Sequence, residues 1–121
     1  HQGDQYSQLL LGRLYLSGRG LEQDFVKSSQ LFLQSAQSGN SEALYEMGRL
    51  YERGVAFRQS FDEAAKWYRK GVLSQEPKSE YRLAKLIVEH RVKAAPGEES
   101  KKLFLSSYRE QRNIYGDVVH I

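Results

Sequence analysis

The sequence predicts an all-α fold, a repeat array of antiparallel helix pairs, and three observations carry that expectation. Gly12-Arg13-Leu14-Tyr15 returns 36 residues later as Gly48-Arg49-Leu50-Tyr51, and after another 36 Ala84-Lys85-Leu86-Ile87 keeps the order small, basic, leucine, bulky apolar. Within each unit, apolar residues recur at three- and four-residue spacing, the period of a helix buried on one face. Glycines at 18, 20, 39 and 54 punctuate these runs where a chain reversal is needed. Self-similarity at a fixed period of roughly 20–50 residues marks stacked units that bury their apolar faces on each other.

Taken in order, Gly3-Asp4 offers a turn and an N-cap to a helix over about 5–17 carrying Tyr6, Leu9, Leu10 and Leu14. Gly18-Arg19-Gly20 ends it. Asp24 caps a second helix with Phe25, Leu31, Phe32 and Ala36 on one side, ended by Gly39. The next unit repeats the plan: Asn40 or Ser41 as cap, Leu44, Met47, Leu50 and Tyr51 inward, Gly54 as stop. Ser60 with Glu63 then forms a capping-box pattern before a helix bearing Ala64, Ala65, Trp67, Tyr68 and Val72, with Trp67 expected as the largest core anchor. A third unit opens after Pro77, tolerated in a first helical turn but not in an interior. Its first helix is expected over about Ser79 to Val92, continuing toward Pro96-Gly97 because His90 replaces the glycine stop. A last helix is expected from Glu98 to about Arg112, with Leu103 and Phe104 lying 36 residues beyond Trp67 and Tyr68. The units are therefore 5–39, 40–75 and a degenerate 76–112. The tail, 113–121, opens on Gly116-Asp117 like the start of a fourth unit, so a longer array is expected.

Bulk properties limit the function classes. Of 121 residues, 40% are hydrophobic and 27% charged, which suits a folded, water-facing domain, and no apolar run approaches the roughly 20 residues of a membrane span. The net charge of +3 is mild and interleaved with Glu. The absence of cysteine removes disulfides and thiolate metal sites and leaves the redox compartment open. No charged-then-apolar leader precedes the first unit, so any targeting segment is expected outside this sequence.

Leu11-Gly12, Tyr15, Gly18, Gly20-Leu21, Asp24, Lys27-Ser28, Phe32, Ala36 and Gly39 resemble the Sel-one-like repeat, a relative of the tetratricopeptide repeat. The second unit matches through Met47-Gly48, Tyr51, Gly54, Ala64 and Trp67-Tyr68-Arg69-Lys70, departing at Ala56, where the pattern has glycine. The third retains Leu83-Ala84, Ile87 and Leu103-Phe104. The resemblance implies a right-handed superhelix serving as a non-enzymatic protein-interaction adaptor, with no catalytic residues and no cofactor. It favours bacterial envelope, secretion or exopolysaccharide-export assemblies, and hence a periplasmic or outer-membrane-anchored setting, with the cytoplasm left open. Gly12, Tyr15, Gly48, Tyr51, Trp67, Tyr68, Ala84 and Phe104 are then repeat core. One helix pair cannot bury both its apolar faces, so the array must gain stability by stacking.

Carried over from the tetratricopeptide pattern, Leu9 and Arg13, Tyr45 and Arg49, and Tyr81 and Lys85 fall on the concave surface, with Arg53 on its flank. Arginine and aromatic side chains there suit an acidic protein or peptide segment. Two alternatives stand beside this reading. Arg49 and Lys85 are also spaced to pair with Glu46 and Glu89 on a solvated face, and a basic stripe could bind an anionic polysaccharide. Nucleic acid is disfavoured by the modest charge and the lack of any recognition motif. The three histidines, His1, His90 and His120, supply no base with an orienting carboxylate and a nucleophile, and no metal-ligand spacing stands out.

Overall fold

The computed structural model describes residues 2–98. Those residues form five α-helices: α1 (Gln2–Ser17), α2 (Phe25–Gln37), α3 (Ser41–Arg53), α4 (Phe61–Leu73) and α5 (Pro77–Val88). Each packs on the next in chain order, and α3 also reaches α5, so the described residues build an αα solenoid. The expected helix from Glu98 to Arg112, with Leu103 and Phe104, and the tail at 113–121 lie outside the described residues.

Each helix pair is closed by a ring set on a glycine. A Cβ on Gly12 would stand 2.8 Å from the Phe32 ring, and one on Gly48 would collide with the ring of Tyr68, 36 residues after Phe32. A mid-helix glycine costs roughly 1 kcal/mol relative to alanine. Burial of Phe32 and Tyr68, both 0% exposed, offsets that cost. Ser28 reinforces the first crossing by donating its Oγ hydrogen to the Gly12 carbonyl at 2.7 Å. Tyr68, not Trp67, is thus the large anchor of α4. Trp67 is only half-buried, with the Lys70 ammonium 4.4 Å from its ring centroid, because the register equivalent of Phe32 is the next residue.

The linkers repeat as faithfully as the helices. Asp24 N–H donates to the Tyr15 carbonyl and Ser60 N–H to the Tyr51 carbonyl, both at 3.0 Å. The Gln23 and Gln59 amides reach back to the carbonyls of Leu16 and Glu52, both at 2.8 Å. Asp24, Asn40 and Ser60 cap α2, α3 and α4 as their types predict. The Ser60 pattern forms only half a capping box, since the Ser60 amide is spent on Tyr51.

Left-handed backbone also recurs every 36 residues, and not always on glycine. Gly18, Gly54 and His90 have φ of 74°, 70° and 59°; Gly20 and Ala56 have 79° and 67°; Gly39 and Gln75 have 100° and 59°. This corrects the third unit. α5 does not run to Val92 but stops at Val88, where the His90 N–H bonds the Ile87 carbonyl and the Arg91 N–H bonds the Leu86 carbonyl, as Gly54 and Val55 do with Tyr51 and Leu50. α5 also starts two residues early: Pro77 occupies its first turn, and the Glu76 carboxylate accepts from the amides of Lys78 and Ser79.

α1 likewise begins at Gln2, before Gly3-Asp4, with Asp4 in its first turn where a carboxylate complements the helix dipole. Tyr6, Leu10 and Leu14 are 60%, 58% and 40% exposed. They sit at the register of Glu42, Glu46 and Leu50, which face a preceding helix, and α1 is the first helix of the described set. Phe25, at the outer start of α2, is also exposed.

Gly48→Ala is expected to cost about 1–3 kcal/mol in urea denaturation, because the rigid ring and backbone leave a methyl no room. Replacing Tyr68 by Leu in the same chain should shrink that penalty in a double-mutant cycle. Ala56→Gly and His90→Gly should each raise the thermal midpoint. A non-glycine residue in left-handed backbone costs about 1–2 kcal/mol against about 0.5–1 kcal/mol for the extra chain entropy of glycine.

Candidate functional site

The odd-numbered helices line the tighter, inner side of the solenoid, since α3 reaches α5 while α2 and α4 make no comparable contact. The glycine that faces inward on each crossing turns its neighbour, the basic residue of the repeated tetrad, toward that side. Two junctions result, and they differ in charge.

At the junction of α1 with α3, Arg13 is fully engaged. Its Nε donates to Glu46 Oε2 at 2.8 Å and its Nη2 to Glu42 Oε2 at 3.0 Å, bridging consecutive repeats. Burial pulls the Arg13 pKa down, but Glu46 and Glu42 outweigh it and the net direction is up.

At the junction of α3 with α5 the register equivalents of Glu42 and Glu46 are Lys78 and Arg82. Here Arg49 meets cations. Glu52 stands between, accepting the Tyr68 hydroxyl at 2.6 Å while Arg49 Nη1 and Arg82 Nη1 lie 3.6 and 3.7 Å from its two oxygens. Burial, then the Glu52 carboxylate, push the Tyr68 phenol well above its ordinary value. For Arg82, burial lowers the pKa but Glu52 and the Tyr45 hydroxyl raise it further. The Lys78 ammonium lies 5.3 Å from the Tyr45 ring centroid, and Tyr45 tilts against Tyr68 at 6.3 Å.

Of the residues expected on the surface, Leu9 is not there. It is 2% exposed in a core with Phe32, Ala43, Met47 and Leu50, since leucine lacks the polar tip that lets Tyr45 at the same register reach outward. Arg13, Tyr45, Arg49, Tyr81 and Lys85 are half-buried and Arg53 is exposed. The solvated pairing also differs from expectation. Arg49 pairs with Glu52 because Glu46 belongs to Arg13, and no ion pair joins Lys85 to Glu89 among the described residues. Glu42, Glu52, Lys78 and Arg82 were not expected at the site. The 36-residue register that related Arg13 to Arg49 would have found Lys78 and Arg82.

A second concavity of about 970 Å³ is lined by Asp62, Arg69, Ile87, His90, Arg91 and Lys93, among others. Its central cation is already satisfied, with Arg69 forking onto both oxygens of Glu98 at 2.8 and 3.0 Å. No group of three His, Asp or Glu among the described residues could hold a metal ion.

The Sel1 repeat family model matches residues 5–40 and 41–73, more than half of the chain. The chain belongs to the Sel1 repeat family. Sel1 repeats mediate protein interactions and are typically non-enzymatic. Over 47 residues, 39% of this chain, it is 34% identical to the ERAD-associated E3 ubiquitin-protein ligase components HRD3A and HRD3B of Arabidopsis thaliana, a match spanning only 7% and 8% of those proteins. A crystal structure of a Sel1 repeat protein from Oxalobacter formigenes superposes with a TM-score of 0.75 at 20% identity, covering 93% of this chain and 44% of that one. The structure of c5321, a protective antigen of uropathogenic Escherichia coli with the same fold, gives 0.73 at 34% identity, covering 95% and 24%. No described helix is long and apolar enough to cross a membrane.

Arg13→Gln is expected to cost about 1 kcal/mol at low salt, an order typical of partly exposed ion pairs. The loss should shrink as ionic strength rises, which urea denaturation at two salt concentrations checks.

Proposed function

We propose that this Sel1 repeat chain is a non-enzymatic adaptor whose inner face, from Tyr45 to Lys85, receives a segment of another protein. The observation that carries this is the α3–α5 junction, where tyrosines and arginines, side-chain types enriched at interface hot spots, are half-exposed and only loosely paired. A polymer reading has less support. Arg13 is neutralised by Glu42 and Glu46, so the basic groups do not continue along the inner face as a polyanion would require.

Two of the relatives support the adaptor reading at the level of type. HRD3A and HRD3B are named as components of a ubiquitin-ligase assembly, and c5321 as a bacterial antigen. Within the adaptor reading we place the chain in a bacterial envelope, secretion or exopolysaccharide-export assembly, the setting that the family resemblance of its repeats implies.

A photo-reactive side chain at Tyr81, on the inner face, and at Lys66, exposed on α4, separates the faces. Protein adducts in native extract are expected from position 81 and not from 66. Equal adducts from both positions, or none from 81, would refute the inner-face adaptor.

A further inference from the structure

The two junctions have the same backbone register and opposite charge chemistry. In the first, one cation from the earlier helix, Arg13, is met by two carboxylates one turn apart on the later helix, Glu42 and Glu46, at 3.0 and 2.8 Å. In the second, Arg49 holds the place of Arg13, but Lys78 and Arg82 hold the places of the two carboxylates. Two guanidinium groups, Arg49 and Arg82, share one carboxylate, Glu52, which is already bonded to Tyr68 and lies 3.6–3.7 Å from both, while the Lys78 ammonium lies 5.3 Å from the Tyr45 ring centroid. Charge-assisted hydrogen bonds are normally about 2.7–2.9 Å. Neither arginine therefore has the close carboxylate that Arg13 has, and Arg82 is held instead by the Tyr45 hydroxyl.

Arg53 stands one turn beyond Arg49, and Lys85 one turn beyond Arg82, so the surplus extends in the same sign. Glu46 is turned away to Arg13. Tyr45 flanks the site, with its ring 5.3 Å from the Lys78 ammonium and 6.3 Å from the Tyr68 ring.

We propose that the α3–α5 junction is a receptor for two carboxylates one helical turn apart on an acidic peptide segment of the partner, the ligand supplying what Glu42 and Glu46 supply internally at the first junction. Lys78 and Arg82 are spaced one turn apart on α5, which matches carboxylates about 5–6 Å apart on a partner helix. Among the described residues the surplus is confined to one junction, so the ligand is a short acidic segment and not a long polyanion. This inference rests on the adaptor reading and specifies its ligand.

The probe is a labelled synthetic peptide carrying two glutamates four residues apart, with a glutamine counterpart, titrated into the full chain at low salt and followed by fluorescence anisotropy. The glutamate peptide should bind at least about tenfold more tightly than the glutamine one, a difference of about 1.4 kcal/mol. Arg82→Gln should weaken binding by about tenfold, the size of one charged hydrogen bond. Arg13→Gln should change it less than about twofold, because sites with no shared partner act independently. The double variant K78E/R82E rebuilds the first junction's chemistry at the second. It should abolish peptide binding while leaving the thermal midpoint unchanged or higher, which separates lost binding from lost folding.

Equal binding of the two peptides, or equal effects of Arg13→Gln and Arg82→Gln, would overturn the inference. So would failure of the peptide beside tight, steeply salt-dependent binding of a heparin fragment, since that behaviour belongs to a polyanion site. If position 81 still cross-links to protein while the glutamate peptide does not bind, the carboxylate receptor falls and the adaptor reading stands.

Discussion

The contact on which the architecture depends is the aromatic ring lying on a helical glycine, Phe32 on Gly12 and Tyr68 on Gly48. It sets how closely the two helices of a pair cross, and no residue with a Cβ fits at that depth without moving ring or backbone. Once the glycine is pinned inward at the crossing, helical geometry leaves the next residue no choice of face. Arg13 and Arg49 are turned to the inner side by the packing of their neighbours. The functional surface is thus a by-product of the tightest steric constraint in the fold.

A second constraint runs through the backbone. The chain takes left-handed conformation at three corresponding points of the first two units, on glycine where the pattern supplies it and otherwise on Ala56 or Gln75, and the first of these points returns in the third unit at His90. The helix–turn geometry is therefore held by the stacking of neighbouring units, since the residue type at three of these points opposes it. Propensity reasoning misplaced the end of α5 for this reason. His90 carries no local signal to stop a helix, and the stop is imposed by register with Gly54.

Legibility divides along the same line. Caps, glycine stops and the 36-residue period are written in local residue types, and Asp24, Asn40 and Ser60 do in the structure what such residues do generally. Trp67 and Tyr68 could not be ordered by size or hydrophobicity, because burial at α4 follows the position that meets Gly48. The pairing of Arg13 with Glu42 and Glu46 spans sequence separations of 29 and 33 residues, beyond the three- and four-residue rule that relates charges within one helix. Leu9 shows the limit of carrying a surface position between repeats by number alone: the backbone site is equivalent to that of Tyr45, but a leucine there folds into the core.

The register positions 6 and 10, 42 and 46, and 78 and 82 carry Tyr and Leu, then Glu and Glu, then Lys and Arg. These pairs occupy one structural place in three successive helices, while the adjoining positions 50 and 86 keep leucine, 1% and 2% exposed. Packing fixes the apolar member because a cavity or an overpacked methyl is costly wherever the repeat stands in the array. The paired positions lie at the rim of the inner face, where partly exposed charges contribute little to stability in either sign. They are free to differ, and difference at a repeated place is what lets identical modules present non-identical surfaces. In this chain one such place ties two repeats together and the next concentrates positive charge beside Tyr45 and Tyr81. A solenoid with uniform ion pairs along its inner face would offer a partner nothing to replace.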